Sequence, residues 1–146
     1  MTNPASESIS AADIAVGDTG PEVVVEDLQR RDFVEYAGAS GDFTPIHYDE
    51  PFATGAGYES VFGQGMLTAG YVSCMATDWF GLDRIDTFST RFEARVLPGD
   101  TITVTGTVTE KTETEDGAEV TAALRAENGD GDAVVTGSVT ATLPIE

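Results

Sequence analysis

Residues 41–47, Gly-Asp-Phe-Thr-Pro-Ile-His, place the chain's only histidine, His47, five positions after Asp42, with Pro45 between them. A carboxylate and an imidazole are side chains suited to moving protons, and on one rigid loop they can orient and polarise a single water. The same residue types also build turns, since Asp initiates them, Pro presets one backbone angle and Gly accepts the other hand. Taken alone, these residues leave two readings open: general acid–base chemistry, or a turn-forming aspartate and a loop histidine packed against Tyr48.

The rest of the chain limits the chemistry available. With one histidine and one cysteine, Cys74, neither an intramolecular disulfide nor a His- or Cys-based zinc site fits within one chain. There are 26 Asp and Glu against 7 Lys and Arg, a formal net charge of -19. That excludes a generic nucleic-acid or anionic-membrane surface. The acidic residues are scattered rather than blocked, as in a hydrated acidic coat, and Lys111 is the single lysine. A halophilic protein is therefore expected, because at molar salt the Debye length falls to ~3 Å and repulsion between surface carboxylates is screened. The opening residues, MTNPASESISAAD, carry no basic or apolar run of a secretory signal, so a soluble cytoplasmic protein is expected. Residues 1–13 hold little to bury and read as a disordered or loosely docked tail ahead of one domain over 14–146.

Periodicity supplies the elements that must position the loop. The run Glu22-Val-Val-Val25 predicts a short strand, and residues 30–40 predict a helix with Phe33, Val34 and Ala37 at helical spacing, stopped by Gly41. Pro45 keeps the 42–47 loop out of helix and biases Thr44 toward extended backbone, while 49–54 predict a short helical turn. Residues 65–81 are apolar nearly all round, which predicts a buried core helix, with Cys74 as a small core residue. Thr68, Ser73, Thr77 and Asp78 make it a poor membrane span.

Beyond it the period changes to two, predicting strands over 85–96, 102–108, 120–126 and 133–143. Phe88, Phe92, Ala94 and Val96 then share the apolar face of the first. Short turns between these strands predict a four-strand antiparallel meander with one apolar face. Only the 65–81 helix is greasy enough to cover that face, so the sheet should wrap it in an α+β, five-stranded arrangement.

Three segments together, YAGASGDFTPIHYDEPFA (36–53), VFGQGMLTAGYVSCM (61–75) and FEARVLPGDTITVTGTV (92–108), resemble the MaoC-like hydratases and dehydratases, including the (R)-specific enoyl-CoA hydratases. The resemblance spans about Ile14 to Leu143 and implies a hot-dog fold. It also implies that Asp42 and His47 are the catalytic pair holding water, and that the backbone N–H of Gly65 forms the oxyanion hole. Ser73 matches a supporting serine that borders the pair. The chain departs from the family's pattern at Gln64, where the family often has His, while the implied oxyanion role belongs to the backbone.

The implied activity is reversible syn hydration of a trans-2-enoyl-CoA to an (R)-3-hydroxyacyl-CoA. No metal or redox cofactor is implied, the CoA thioester being substrate, and the expected assembly is a homodimer or a dimer of dimers. A non-catalytic acyl-CoA-binding or scaffold subunit and a thioesterase of the same fold are the alternatives. A polyanionic carrier on so acidic a protein requires local cations. Arg84, Arg91 and Arg95 are the main candidates, with Lys111 and Arg125 behind them; Arg91 and Arg95 are expected on one polar strand face.

Overall fold

In the computed structural model, which describes residues 9–146, the alternating segments form one five-stranded antiparallel sheet. The strands are β1 (Val23–Val25), β2 (Ile85–Phe92), β3 (Ile102–Thr114), β4 (Gly117–Glu127) and β5 (Ala133–Pro144). Helices α1 (Arg30–Ser40), α2 (Glu50–Gly55) and α3 (Gly65–Phe80) precede β2 in the chain, with 3-10 turns between α1 and α2 and between α3 and β2. The expected tail over 1–8 lies outside the described residues. Packing begins earlier than residue 14, since Ile9 packs on the core and Ala11 is buried in a 3-10 turn, Ala11–Asp13.

Spatial order is β1-β3-β4-β5-β2, which corrects the predicted four-strand meander. Only β3, β4 and β5 are neighbours in sequence order; β2 pairs with β5 and takes the far edge. The short Leu82–Arg84 turn starts β2 where α3 ends, and the longer 93–101 connection carries the chain back across to β3. Strand order is a property of those connections, and periodicity does not report it. β3 also runs past the predicted residue 108 to Thr114, through an irregularity between Val108 and Glu110 that breaks the alternation.

The sheet's apolar face is the core. Ile102, Val104, Val108, Val120, Ala122, Leu124, Val139, Ala141 and Leu143 are all buried. Against them α3 turns Val72, Met75, Ala76 and Phe80. A fully buried side chain of this kind contributes about 1.5–3 kcal/mol, so this helix–sheet layer dominates stability.

Two expectations about α3 and β2 fail together. The helix is buried on one side only: Met66 is 59% exposed, and Cys74 is exposed rather than a core residue. β2 stops at Phe92, and Phe88 and Phe92 are exposed although their register partners Val139 and Val135 are buried. The predicted face is right, because paired residues share a side of the sheet. β2 reaches α3, with Phe92 beside Gly65, but as an edge strand it has a neighbouring strand on one side only, which leaves its rings partly uncovered; only Val96 of the predicted set is buried. Likewise Val34 of α1 is exposed while Phe33 and Ala37 are buried. A five-stranded antiparallel sheet laid along one long helix is the hot-dog fold.

Candidate active site

Asp42 and His47 are brought together by a chain of local hydrogen bonds. Gly41 ends α1 in the left-handed conformation (φ 77°), its N–H donating to Ala37 O, a turn that residues with a Cβ adopt only at a cost. The next residue, Asp42, accepts at Oδ1 from the Thr44 hydroxyl (2.6 Å) and the Thr44 backbone N–H (3.2 Å). Thr44 is extended, as a residue before proline prefers, and Pro45 opens the 3-10 turn Pro45–His47. The histidine that results is buried, and its ring packs edge-on to Phe62 at 5.3 Å.

His47 Nδ1 lies 2.7 Å from the Phe62 carbonyl oxygen. A carbonyl oxygen only accepts, so Nδ1 carries the proton, and in the neutral ring Nε2 presents a lone pair. That Nε2 is 3.7 Å from Asp42 Oδ2, the carboxylate oxygen that Thr44 leaves free. Two acceptors face each other across a gap too long for a direct hydrogen bond. The gap is too short to hold a water in line, but a water beside the pair, about 2.8 Å from each atom, has two protons to donate, one to each acceptor. The Thr44 hydroxyl, then its N–H, hold the Asp42 carboxyl below its ordinary 3.8; slight burial opposes this, and His47, when its ring is protonated, adds a smaller downward pull.

The segment before α3 ties the pair to the helix start. Phe62 supplies the His47 acceptor, the Gly63 N–H donates to Val96 O (2.8 Å), and Gln64 Nε2 donates to Phe33 O of α1 (2.8 Å). Gln64 is buried, so the side chain standing where the family often has His joins α1 to the α3 start; its Oε1 has no partner among the described residues. Gly65 is the first residue of α3, with no side chain capping that end, so its N–H is unused within the helix. The positive end of the helix dipole lies at that unused N–H. A Cβ on Gly65 would stand 2.9 Å from the ring of the exposed Phe92, so a larger residue here would have to push that ring aside.

Gly65 lines an open groove of about 490 Å³ with Phe62, Gly63, Phe92, Glu93 and Arg95. Ser73 is elsewhere. It lines a second groove with Tyr36, Met66 and Phe88, and its hydroxyl donates to Gly70 O (2.8 Å), three residues back. No hydrogen bond joins it to the pair.

The cation candidates separate. Arg84 donates to Ile9 O, Arg91 lies 3.7 Å from Glu93, Arg125 pairs with Glu127 and Lys111 donates to Ala11 O and Ile14 O. Arg95 alone of the five lines the Gly65 groove. It stands beyond the end of β2, so it does not share a strand face with Arg91. Residues missed in the sequence are Thr44, Phe62 and Tyr58, over whose ring the Arg95 guanidinium lies. Thr44 had a signal, the Asp-x-Thr spacing of a side-chain-capped turn. Backbone acceptors such as Phe62 O have none.

Among the described residues no group of three or more His, Cys, Asp or Glu could hold a metal ion, and no helix is long and apolar enough to cross a membrane. The chain is 31% identical to the peroxisomal multifunctional enzyme type 2 of Mus musculus over 100 residues, 66% of this chain and 14% of that protein. It is 36% identical to the (R)-specific enoyl-CoA hydratase of Rhodospirillum rubrum over 84 residues, 56% of this chain and 58% of that one. It thus spans less than two thirds of either relative. The R-hydratase PhaJ1 from Pseudomonas aeruginosa, in its unliganded form, superposes with a TM-score of 0.81 at 27% identity, covering 95% of this chain and 88% of that one. The profile of the MaoC like domain matches residues 14–129, and the chain belongs to that family.

Proposed function

We propose that the protein is an (R)-specific enoyl-CoA hydratase that adds water reversibly to a trans-2-enoyl-CoA. The observation that carries this reading is the pair of unshared acceptors, Asp42 Oδ2 and His47 Nε2, 3.7 Å apart. One of the pair takes a proton from the water as its oxygen bonds to C3. The C2–C3 π electrons move toward the thioester carbonyl, whose oxygen becomes an enolate at the Gly65 N–H. A proton returned to C2 from the same pair, on the same face, gives the syn product. Proton transfer of this kind contributes about 10²- to 10⁴-fold, and loss of an oxyanion donor costs about 10²- to 10³-fold.

The free edge of β2 and the exposed Phe88 and Phe92 fit the two-fold assembly expected of such a domain. The reaction is tested by incubating the full chain with a short trans-2-enoyl-CoA in concentrated KCl. Loss of the enoyl absorbance with a chiral 3-hydroxyacyl-CoA product of (R) configuration is expected. Release of free CoA thiol indicates a thioesterase, and acyl-CoA binding without either product indicates a binding subunit.

A further inference from the structure

Seven cations serve a chain of net charge -19, and six of them are accounted for. Arg30, Arg31, Arg91, Arg125 and Lys111 lie 2.8–3.7 Å from a carboxylate oxygen, and Arg84 donates to Ile9 O. Among the described residues Arg95 alone has neither a carboxylate nor a hydrogen-bond acceptor. Amid so many carboxylates an unpaired guanidinium is an exception.

Its position is built. The Arg95 guanidinium carbon lies 5.0 Å from the Tyr58 ring centroid and 5.7 Å from that of Phe62, and those two rings pack against each other at 4.8 Å. Stacking on aromatic rings engages the face of a guanidinium and leaves its in-plane N–H groups free. Those N–H groups form a fork that matches a carboxylate or phosphate in bidentate fashion. Phe62 is also the residue whose carbonyl holds His47, so the seat of Arg95 and the seat of the histidine are one side chain and its own backbone. The nearest carboxylate by sequence, Glu93, is engaged by the Thr136 hydroxyl and Arg91.

The geometry points to Arg95 as the seat for an anionic oxygen group of the thioester ligand, entering the groove that it shares with Gly65. This rests on the hydratase reading for the identity of the ligand. Two parts of such a ligand carry that chemistry: a phosphate of the carrier and a carboxylate on the acyl group.

Titration calorimetry on the full chain, at one fixed KCl concentration, tests the assignment with three saturated, unreactive thioesters. Butanoyl-CoA carries phosphates only, succinyl-pantetheine a carboxylate only, and butanoyl-pantetheine neither. Arg95→Met should weaken one of the two anionic ligands by about 10- to 100-fold, as expected for a charge-assisted bidentate contact, and leave butanoyl-pantetheine unchanged. Loss confined to butanoyl-CoA assigns the seat to the carrier, and loss confined to succinyl-pantetheine assigns it to the acyl group. Tyr58→Leu, which removes the stacking ring, should reproduce part of the same selective loss. Equal affinities of wild type and Arg95→Met for both anionic ligands, or an equal loss for all three, would overturn the assignment. Selective loss in a chain that hydrates no enoyl thioester retains the anion seat and removes the hydratase reading, so the two fail separately.

Discussion

Thr44 decides how firmly Asp42 keeps its charge. Its hydroxyl and N–H both donate to Oδ1, so they stabilise the carboxylate and depress the folded-state pKa below the ordinary 3.8. The stability this contributes is therefore complete above the unfolded value and fades as pH falls through the lower folded one. Thr44→Val keeps the side-chain shape and removes the stronger donor. The acid limb of kcat/KM should then move to higher pH, toward the ordinary carboxylate range, and a pH–rate profile that does not move contradicts the role given to Thr44. At this scale the sequence was informative about side chains and silent about carbonyls. Asp42, His47 and the Thr44 spacing can be read from residue types, whereas Phe62 enters through its backbone oxygen and Arg95 through rings that are distant or unremarkable in sequence.

Helix α3 shows what periodicity does and does not report. Its extent was legible, from Gly65 to within a residue of its end, because a sixteen-residue apolar run with no proline and only Gly70 as an interior glycine has one reading. Its two-sided character was not, because an apolar outer face looks like a core face until the number of covering layers is known. Adjacent residues make the difference measurable. Met75 is fully buried against the sheet, so Met75→Ala should cost about 2–5 kcal/mol in denaturant unfolding. Cys74, on the opposite side, is exposed, so Cys74→Ala should fall within about 0.5 kcal/mol of wild type. Comparable losses would mean that the outer face is as tightly covered as the inner one. β2 repeats the lesson: Phe88 and Phe92 lie on the face that alternation predicts, but their exposure follows from the edge position, which is set by chain connections.

For the whole molecule, charge is the dominant fact. The five ion pairs of Arg and Lys among the described residues are mostly exposed, and such pairs contribute about 0–1 kcal/mol each, too little to offset 26 carboxylates at low ionic strength. The thermal midpoint should therefore rise as KCl increases from millimolar to molar, with the light-scattering mass remaining that of a dimer throughout the high-salt range. A midpoint indifferent to salt contradicts the halophilic reading, and a monomer mass contradicts the two-fold assembly. As proposed, the protein hydrates an enoyl thioester through a water shared by Asp42 and His47. The most direct test is the hydration rate of wild type, Asp42→Asn and His47→Gln at saturating enoyl-CoA, with acyl-CoA affinity measured on the same samples. Each variant should lose about 10²-fold or more in rate with affinity preserved; equal rates in all three would contradict the shared-water mechanism.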